Sequence, residues 1–200
     1  GNRAGEVDHD RVTVDAVRRW ATAAPTLLIE PALKVTTRAL QRLRDRLLAT
    51  GEVEVIAPCP HQAPCPMLAG PRDWCHEARA IEPTPRVAAI QAITRRRDDL
   101  ALYSMVALAP RLPHRTTIDP HCWRLVSDAL GSRGKTERWV CRGDGTLRQV
   151  RVLDRERSEL NAALVDAPRG SLVRLPILPE SDRIGPAQRV DVVRFGDQPQ

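Results

Sequence analysis

Three cysteines in the first half of the chain are spaced closely enough to bind a metal together. Cys65 follows Cys59 by six residues, and Cys75 follows Cys65 by ten. Thiolates are soft ligands that suit Zn²⁺ and iron–sulfur clusters. Prolines flank Cys59 and Cys65, and they stiffen the loop and lower the entropy lost when a site closes. The pattern predicts a cysteine-rich metal loop at residues 58–80.

The spacing leaves the fourth ligand open. Cys141 ends a predicted strand, whereas Cys122 lies beside Trp123 and is more typical of a core residue. His61 and His76 are further candidates, because imidazole nitrogen binds zinc well. The intervals differ from the short CxxC pairs of most zinc ribbons. The competing interpretation is a set of inert, buried thiols in a proline-rich loop.

Composition favours a globular protein with an anionic partner. The 200 residues are 42% hydrophobic, which is enough for a real core, while the aromatic content of 3% makes base-stacking surfaces scarce. The net charge is +6, and Lys34 and Lys135 are the only lysines among 31 basic residues. Arginine suits bidentate phosphate contacts, although coding bias in a GC-rich genome enriches it too. No apolar stretch is long enough to cross a bilayer, so we expect an intracellular protein with no membrane partner.

One basic stripe is a candidate RNA contact. Arg38, Arg42 and Arg46 repeat every four residues along a predicted helix and so share one of its faces. Such a row could follow a phosphate backbone. The ordinary alternative is the solvent-facing side of an amphipathic helix.

Hydrophobic patterning predicts an α/β first part. It indicates helices at 12–24, 34–50 and 84–97 and strands at 26–29, 53–57 and 100–109. The first two strands and the helix between them form a unit that typically builds a parallel sheet through a right-handed crossover. Ligands of such sheets gather beyond the carboxyl ends of the strands, which is where the metal loop begins.

After residue 110 the pattern changes to short strands. They are predicted at 123–126, 137–141, 147–153, 171–175 and 189–194, with one helix at 155–165. Gly143-Asp144-Gly145 is typical of a hairpin turn between two of them. We therefore predict two domains, residues 1–112 with the metal loop and residues 113–200 as a small β-rich, barrel-like module.

Several motifs resemble the methyltransferase-like assembly factors of the small ribosomal subunit. The matching segments are Leu27-Leu28-Ile29-Glu30-Pro31, Ala57-Pro58-Cys59-Pro60-His61, Pro64-Cys65-Pro66, Asp73-Trp74-Cys75-His76, Tyr103-Ser104, Trp123-Arg124-Leu125 and Cys141 ahead of the Gly-Asp-Gly turn. Their order follows the family from about residue 25 to about residue 155. The cysteine–proline block is the most specific of them.

The resemblance implies a Rossmann-like methyltransferase fold and a four-iron (4Fe-4S) cluster held by Cys59, Cys65, Cys75 and Cys141. It also implies a role in small-subunit assembly or translation through ribosomal RNA, in the bacterial cytoplasm or the mitochondrial matrix. No DNA partner is expected. A single cluster held this way would fold the metal loop against the β-rich module.

The glycine-rich loop that would cradle S-adenosylmethionine is not in this sequence. We therefore expect the chain to be the C-terminal half of the methyltransferase-like sheet, with S-adenosylmethionine possible in the full-length protein. Two other functions stay open. One is an active S-adenosylmethionine-dependent RNA methyltransferase, and the other is a zinc-stabilised binding module without a ribosomal role.

Overall fold

The protein combines helices with two antiparallel sheets. The computed structural model describes residues 3–95, 100–112, 119–175 and 181–193, with the backbone alone for residues 3–12. The helices are α1 (Arg3–Ala23), α2 (Lys34–Ala49), α3 (Pro85–Thr94) and α4 (Ala162–Asp166). The strands are β1 (Thr26–Pro31), β2 (Val53–Ala57), β3 (Glu77–Ala80), β4 (Leu100–Pro110), β5 (Cys122–Leu125), β6 (Leu130–Ser132), β7 (Lys135–Arg142), β8 (Leu147–Leu153), β9 (Leu172–Arg174) and β10 (Asp191–Val192).

The first sheet is built around β4. Strand β1 pairs with one edge of β4, while β2 and β3 pair with the other edge, all antiparallel. On that shared edge β2 reaches Ala107 and β3 begins at Tyr103. The metal loop therefore leaves the sheet at the end of β2 and returns at the start of β3, opposite the short stretch of β4 between them.

The first two strands run parallel, as the strand–helix–strand unit predicts, but they are not neighbours in the sheet. Strands β1 and β2 run in the same direction and are joined through α2, but β4 lies between them and is antiparallel to both. Strand β4, eleven residues long, pairs with β1 along one edge and with β2 along the other. Hydrophobic patterning identifies strands, but it does not determine their order in a sheet.

Helices α1 and α2 cover one face of this sheet. Val17 and Ala21 of α1 pack with Leu40 and Leu47 of α2 against buried residues of β2 and β4. The opposite face leaves Leu27 and Ile29 of β1 more than half exposed. Among the described residues, the helices that pack on this sheet, α1 and α2, therefore cover only one of its faces.

The second sheet contains the larger core. Its strands run in the order β10-β9-β5-β7-β6. Strands β5 and β6 pair with one edge of β7, at its two ends, and β8 pairs with the opposite edge. Trp123, Leu125, Val140 and Val150 are buried there together with Leu164 of α4. The β-rich character predicted for this part is confirmed.

Some element boundaries differ from the predictions. The predicted helix at 155–165 is instead a single 3-10 turn, Asp154–Glu156, followed by the short α4. The Asn161 amide explains this, because it accepts from the backbone N–H of Ser158 and donates to the carbonyl of Glu156. Strands β3 and β6 were not predicted. The ends of the predicted elements at 84–97 and 189–194 lie partly outside the described residues.

No helix in the described part of the chain combines the length and apolar character that crossing a bilayer requires.

Candidate metal centre

The four cysteines singled out by the sequence line one cavity. Cys59, Cys65, Cys75 and Cys141 all border a cavity of about 40 Å³, whereas Cys122 does not. The cavity lies between α2, the metal loop and the second sheet, and its floor is the part of β4 from Ser104 to Val106. The chain thus brings three thiols of the loop to a fourth on β7.

The first half of the metal loop is fastened to α2 by charged side chains. Arg44, only 2% exposed, donates to the backbone carbonyls of His61 at 2.8 Å and Ala63 at 2.9 Å. The neighbouring Asp45 carboxylate accepts from the backbone N–H of Cys65, with N···O distances of 2.9 and 3.1 Å. These bonds determine where Cys59 and Cys65 lie.

The second half of the loop wraps around Arg38. Its guanidinium donates to the carbonyls of Met67, Leu68, Gly70 and Asp73 at 2.7 to 3.3 Å. Arg38 is therefore neither an RNA contact nor a solvent-facing helix residue, because its guanidinium is hydrogen-bonded to the loop within the protein. Arg42 and Arg46, the other members of the stripe, are exposed.

Cys75 is held by an arginine from the second sheet. Arg124 of β5 donates to Cys75 Sγ at 2.7 Å and forms a salt bridge with Glu77. The Arg124 and Glu77 side chains are 2% and 3% exposed, so both charges are buried. Glu77 also pairs with the half-exposed Arg79 at 2.9 Å. One buried ion pair thereby joins the two sheets beside the cavity.

His61 contacts the fourth cysteine. Its Nδ1 lies 3.0 Å from the Ala63 carbonyl oxygen and its Nε2 lies 3.2 Å from Cys141 Sγ. A carbonyl can only accept, so Nδ1 carries the proton of the neutral ring and Nε2 accepts from the Cys141 thiol. Burial lowers the pKa of His61 to about 4, and the nearby Arg44 acts in the same direction.

The hairpin between β7 and β8 closes against the loop. Gly145 has φ +82°, and a Cβ added there would lie 2.5 Å from Ala63 Cβ. The backbone of the turn can approach the loop this closely because it carries no side chain at that point. The loop thus folds against the β-rich part.

Burial favours the protonated form of three of the four thiols in the absence of metal. It raises the pKa of Cys59 and Cys141, and it raises that of Cys65 to about 12. For Arg44 and Arg124, burial lowers the pKa, but the charges of neighbouring carboxylates and of the ionised cysteine side chains outweigh it, and the net shift is upward. Two permanent cations therefore lie next to thiols that would have to lose protons to bind a metal.

Several polar atoms around the cavity have no hydrogen-bond partner among the described residues. They are Thr37 Oγ1, Gln41 Nε2 and Oε1, Arg44 Nε and Arg124 Nε. Buried donors normally find acceptors, and an unsatisfied one costs about 1–3 kcal/mol. Within the described ranges, no group of three or more His, Cys, Asp or Glu side chains is arranged to hold a single metal ion.

Sequence reasoning identified the cysteines but missed the residues that position them. Arg44 and Asp45 look like ordinary charges on an amphipathic helix. Arg124 belongs to the Trp123-Arg124-Leu125 motif, but nothing in the sequence indicates that it contacts Cys75. Spacing also left Cys122 open, and the structure places it away from the cavity, beside Asp119 and Arg174.

The chain matches the model of a known protein family. The family model described as mitochondrial small ribosomal subunit Rsm22 matches residues 6–168. The match includes all four cysteines of the cavity and both sheets except the last two strands. No curated protein matches the chain.

Proposed function

Because this chain belongs to the mitochondrial small ribosomal subunit Rsm22 family, we propose that it acts in assembly or translation of the small ribosomal subunit as a methyltransferase-like, metal-cluster-binding factor. The cluster is a 4Fe-4S cluster held by Cys59, Cys65, Cys75 and Cys141. The observation that most strongly supports this proposal is that the four thiols, three from a loop and one from a distant strand, line a single cavity. Cys122 does not line it.

The surroundings favour a cluster over a zinc ion. All four thiolates of a zinc site must lie about 2.3 Å from one point, and no set of described residues is arranged to hold a single ion. A four-iron cluster instead spreads its ligands around a larger body. Its inorganic sulfides would accept hydrogen bonds, which suits the unpaired donors of Gln41 and Thr37.

The charges near the cavity fit the same group. A cluster ligated by four thiolates carries net negative charge, and the buried residues Arg44 and Arg124 both line the cavity. Hydrogen bonds and charge near the sulfurs set the stability and potential of such clusters. When bound, the cluster would join the loop to β7 and so stabilise the contact between the two sheets.

The open side of the first sheet supports the proposal of a partial Rossmann-like fold. Strands β1 and β2 are parallel, α2 connects them, and Leu27 and Ile29 face away from the helices without cover among the described residues. The proposed domains are residues 1–112, which include the metal loop, and residues 113–200, the β-rich module.

The test is spectroscopic. The full-length protein purified without oxygen should be brown, with broad absorption at about 400 nm and iron and sulfide in equal amounts. Serine at any of the four cysteines should remove most of the colour, and Cys122→Ser, the matched control, should leave it. A colourless protein with stoichiometric zinc would refute the cluster and favour the zinc-stabilised module.

Ribosomal function needs its own measurement. Affinity for small-subunit ribosomal RNA should fall steeply as salt rises, because arginine–phosphate contacts release counterions. A flat dependence would contradict phosphate binding. S-adenosylmethionine binding on the same preparation tests the alternative of an active methyltransferase.

A further inference from the structure

A second groove lies beside the cysteine cavity and shares its wall. It is lined by Trp74, Trp139, Arg72, Arg169, His76 and Leu147, among others, and its volume is about 260 Å³. This is slightly below the roughly 300 Å³ at which pockets for drug-sized ligands begin. We call it the tryptophan groove.

The groove concentrates a scarce residue type. The chain has four tryptophans, one tyrosine and one phenylalanine, and two of the tryptophans line this one groove. Trp139 projects from β7 with 37% of its surface exposed, although a large apolar ring is normally buried. Trp139 and Trp74 thus place two indole rings at the same groove, where their faces can contact a planar ligand.

Trp74 is held in a fixed orientation. Its Nε1 donates to the Ala32 carbonyl at 3.1 Å, and its ring stacks on His76 with centroids 6.1 Å apart and an angle of 29°. One wall of the groove is therefore rigid. A planar ligand loses less entropy when it binds against a surface that is already ordered.

Cationic groups flank the two indoles. Arg72 is exposed and makes no hydrogen bond or ion pair within the part of the chain that the structure describes. Arg169 is held in place, since it donates to the His76 carbonyl at 3.2 Å and lies 3.8 Å from Asp128. Asp73 adds a carboxylate acceptor. The groove thus offers ring faces, a free cation and an acceptor.

We propose that the tryptophan groove binds one unpaired nucleotide of RNA. Its base stacks on Trp139, its phosphate pairs with Arg72, and Asp73 accepts from an exocyclic amino group. This combination of positive charge with aromatic faces is how proteins bind single-stranded nucleic acid. The inference rests on the proposed ribosomal function and names the part of the RNA that is recognised, an unpaired base rather than a helix.

The test compares single-stranded and duplex RNA. The full-length protein is titrated into a labelled single-stranded oligoribonucleotide and, separately, into a duplex of the same length. Trp139→Leu should weaken single-strand binding by about 5- to 150-fold, the range that corresponds to one stacked base, and leave duplex binding unchanged. Trp139→Phe, which keeps a ring, should retain most of the affinity. Trp20→Leu is the control, because Trp20 is 59% exposed but does not line the groove.

The arginine is tested by salt dependence. Arg72→Gln should reduce the slope of log affinity against log salt by about 0.7, the value for one phosphate contact to a single strand, and Arg72→Lys should restore it. Melting temperatures of all variants verify that each is folded, and the Leu and Phe variants of Trp139 keep an apolar side chain for this reason.

Two results would overturn the inference. The first is that the Trp139→Leu variant binds the single strand as tightly as the wild type does. The second is that this variant loses the same amount of affinity for the single strand and for the duplex. In both cases wild-type binding to ribosomal RNA persists and the proposed function stands. Wild-type protein that binds neither the oligonucleotide nor small-subunit RNA would refute the proposed function itself.

Discussion

Removing Arg124 should destabilise the protein through the charge it leaves behind. Arg124 and Glu77 are almost fully buried and form a salt bridge across the two sheets. Breaking such a pair from one side typically costs about 3–5 kcal/mol, because the remaining charge is uncompensated. Glu77 keeps Arg79, which is half exposed and 2.9 Å away. We therefore expect the low end, about 3 kcal/mol, for Arg124→Met.

A double-mutant cycle separates this mechanism from lost packing. Glu77→Gln should also cost about 3 kcal/mol, because Arg124 is then buried without its carboxylate. The double variant has no buried unpaired charge, so it should lose clearly less than the sum of the two, with a coupling energy of about 2–3 kcal/mol. Urea unfolding of the metal-free, reduced full-length protein measures all four states, and an unchanged m-value verifies that the unfolded states are comparable.

The control for this cycle is an exposed ion pair. Arg157 and Asp166 lie 2.5 Å apart with about half of each side chain exposed. Arg157→Gln should change stability by less than about 1 kcal/mol. Additive losses in the Arg124 and Glu77 cycle, with coupling below about 0.5 kcal/mol, would refute the account of a buried, uncompensated charge.

Three further predictions concern the metal loop. Arg38→Leu frees the carbonyls that its guanidinium holds and should cost about 2 kcal/mol, with faster proteolysis of the loop. Gly145→Ala combines positive φ with a clash and should cost about 2–4 kcal/mol. The third is a pH effect. The His61 pKa is about 4 when folded and near 6.5 when unfolded, so the unfolded chain binds more protons between these values. Metal-free stability should fall by roughly 3 kcal/mol as pH drops from about 6.5 to 4.

Matched variants test each of these. Arg42→Leu, on the same helix but exposed, should cost less than about 0.5 kcal/mol, and equal effects would contradict the role of Arg38. Gly134 has φ +79° with nothing within 4 Å, so Gly134→Ala should cost only about 1–2 kcal/mol. A cost equal to that of Gly145→Ala would show that the close approach to the loop is unimportant. The pH slope should become clearly shallower in His61→Gln, with the remainder coming from His76, whose pKa burial also lowers. An unchanged slope would contradict the role of His61.

Much of the local structure could be predicted because its signals are local. Helix α2 was predicted at 34–50 and is observed as Lys34–Ala49, since its apolar stripe and the following glycine act within a few turns. The hairpin at Gly143-Asp144-Gly145 was predicted for the same reason. The helix predicted at 155–165 does not form over that range, because the Asn161 side chain hydrogen-bonds backbone groups that a helix would need. The periodicity of apolar residues carries no information about that competition.

Three properties can be read from the amino-acid sequence alone: a proline-stiffened loop carries three cysteines, this loop follows a strand, and the basic charge is nearly all arginine. Those properties depend on residue type and on neighbours along the chain. Which distant groups meet becomes visible only in the folded chain. The fold places β4 between β1 and β2, brings Cys141 rather than Cys122 to the loop, buries Arg44 and Arg124 beside the thiols, and gathers two tryptophans into one groove. These outcomes depend on contacts between residues that are tens of positions apart in the sequence. The free energy of such contacts cannot be predicted from a local sequence pattern.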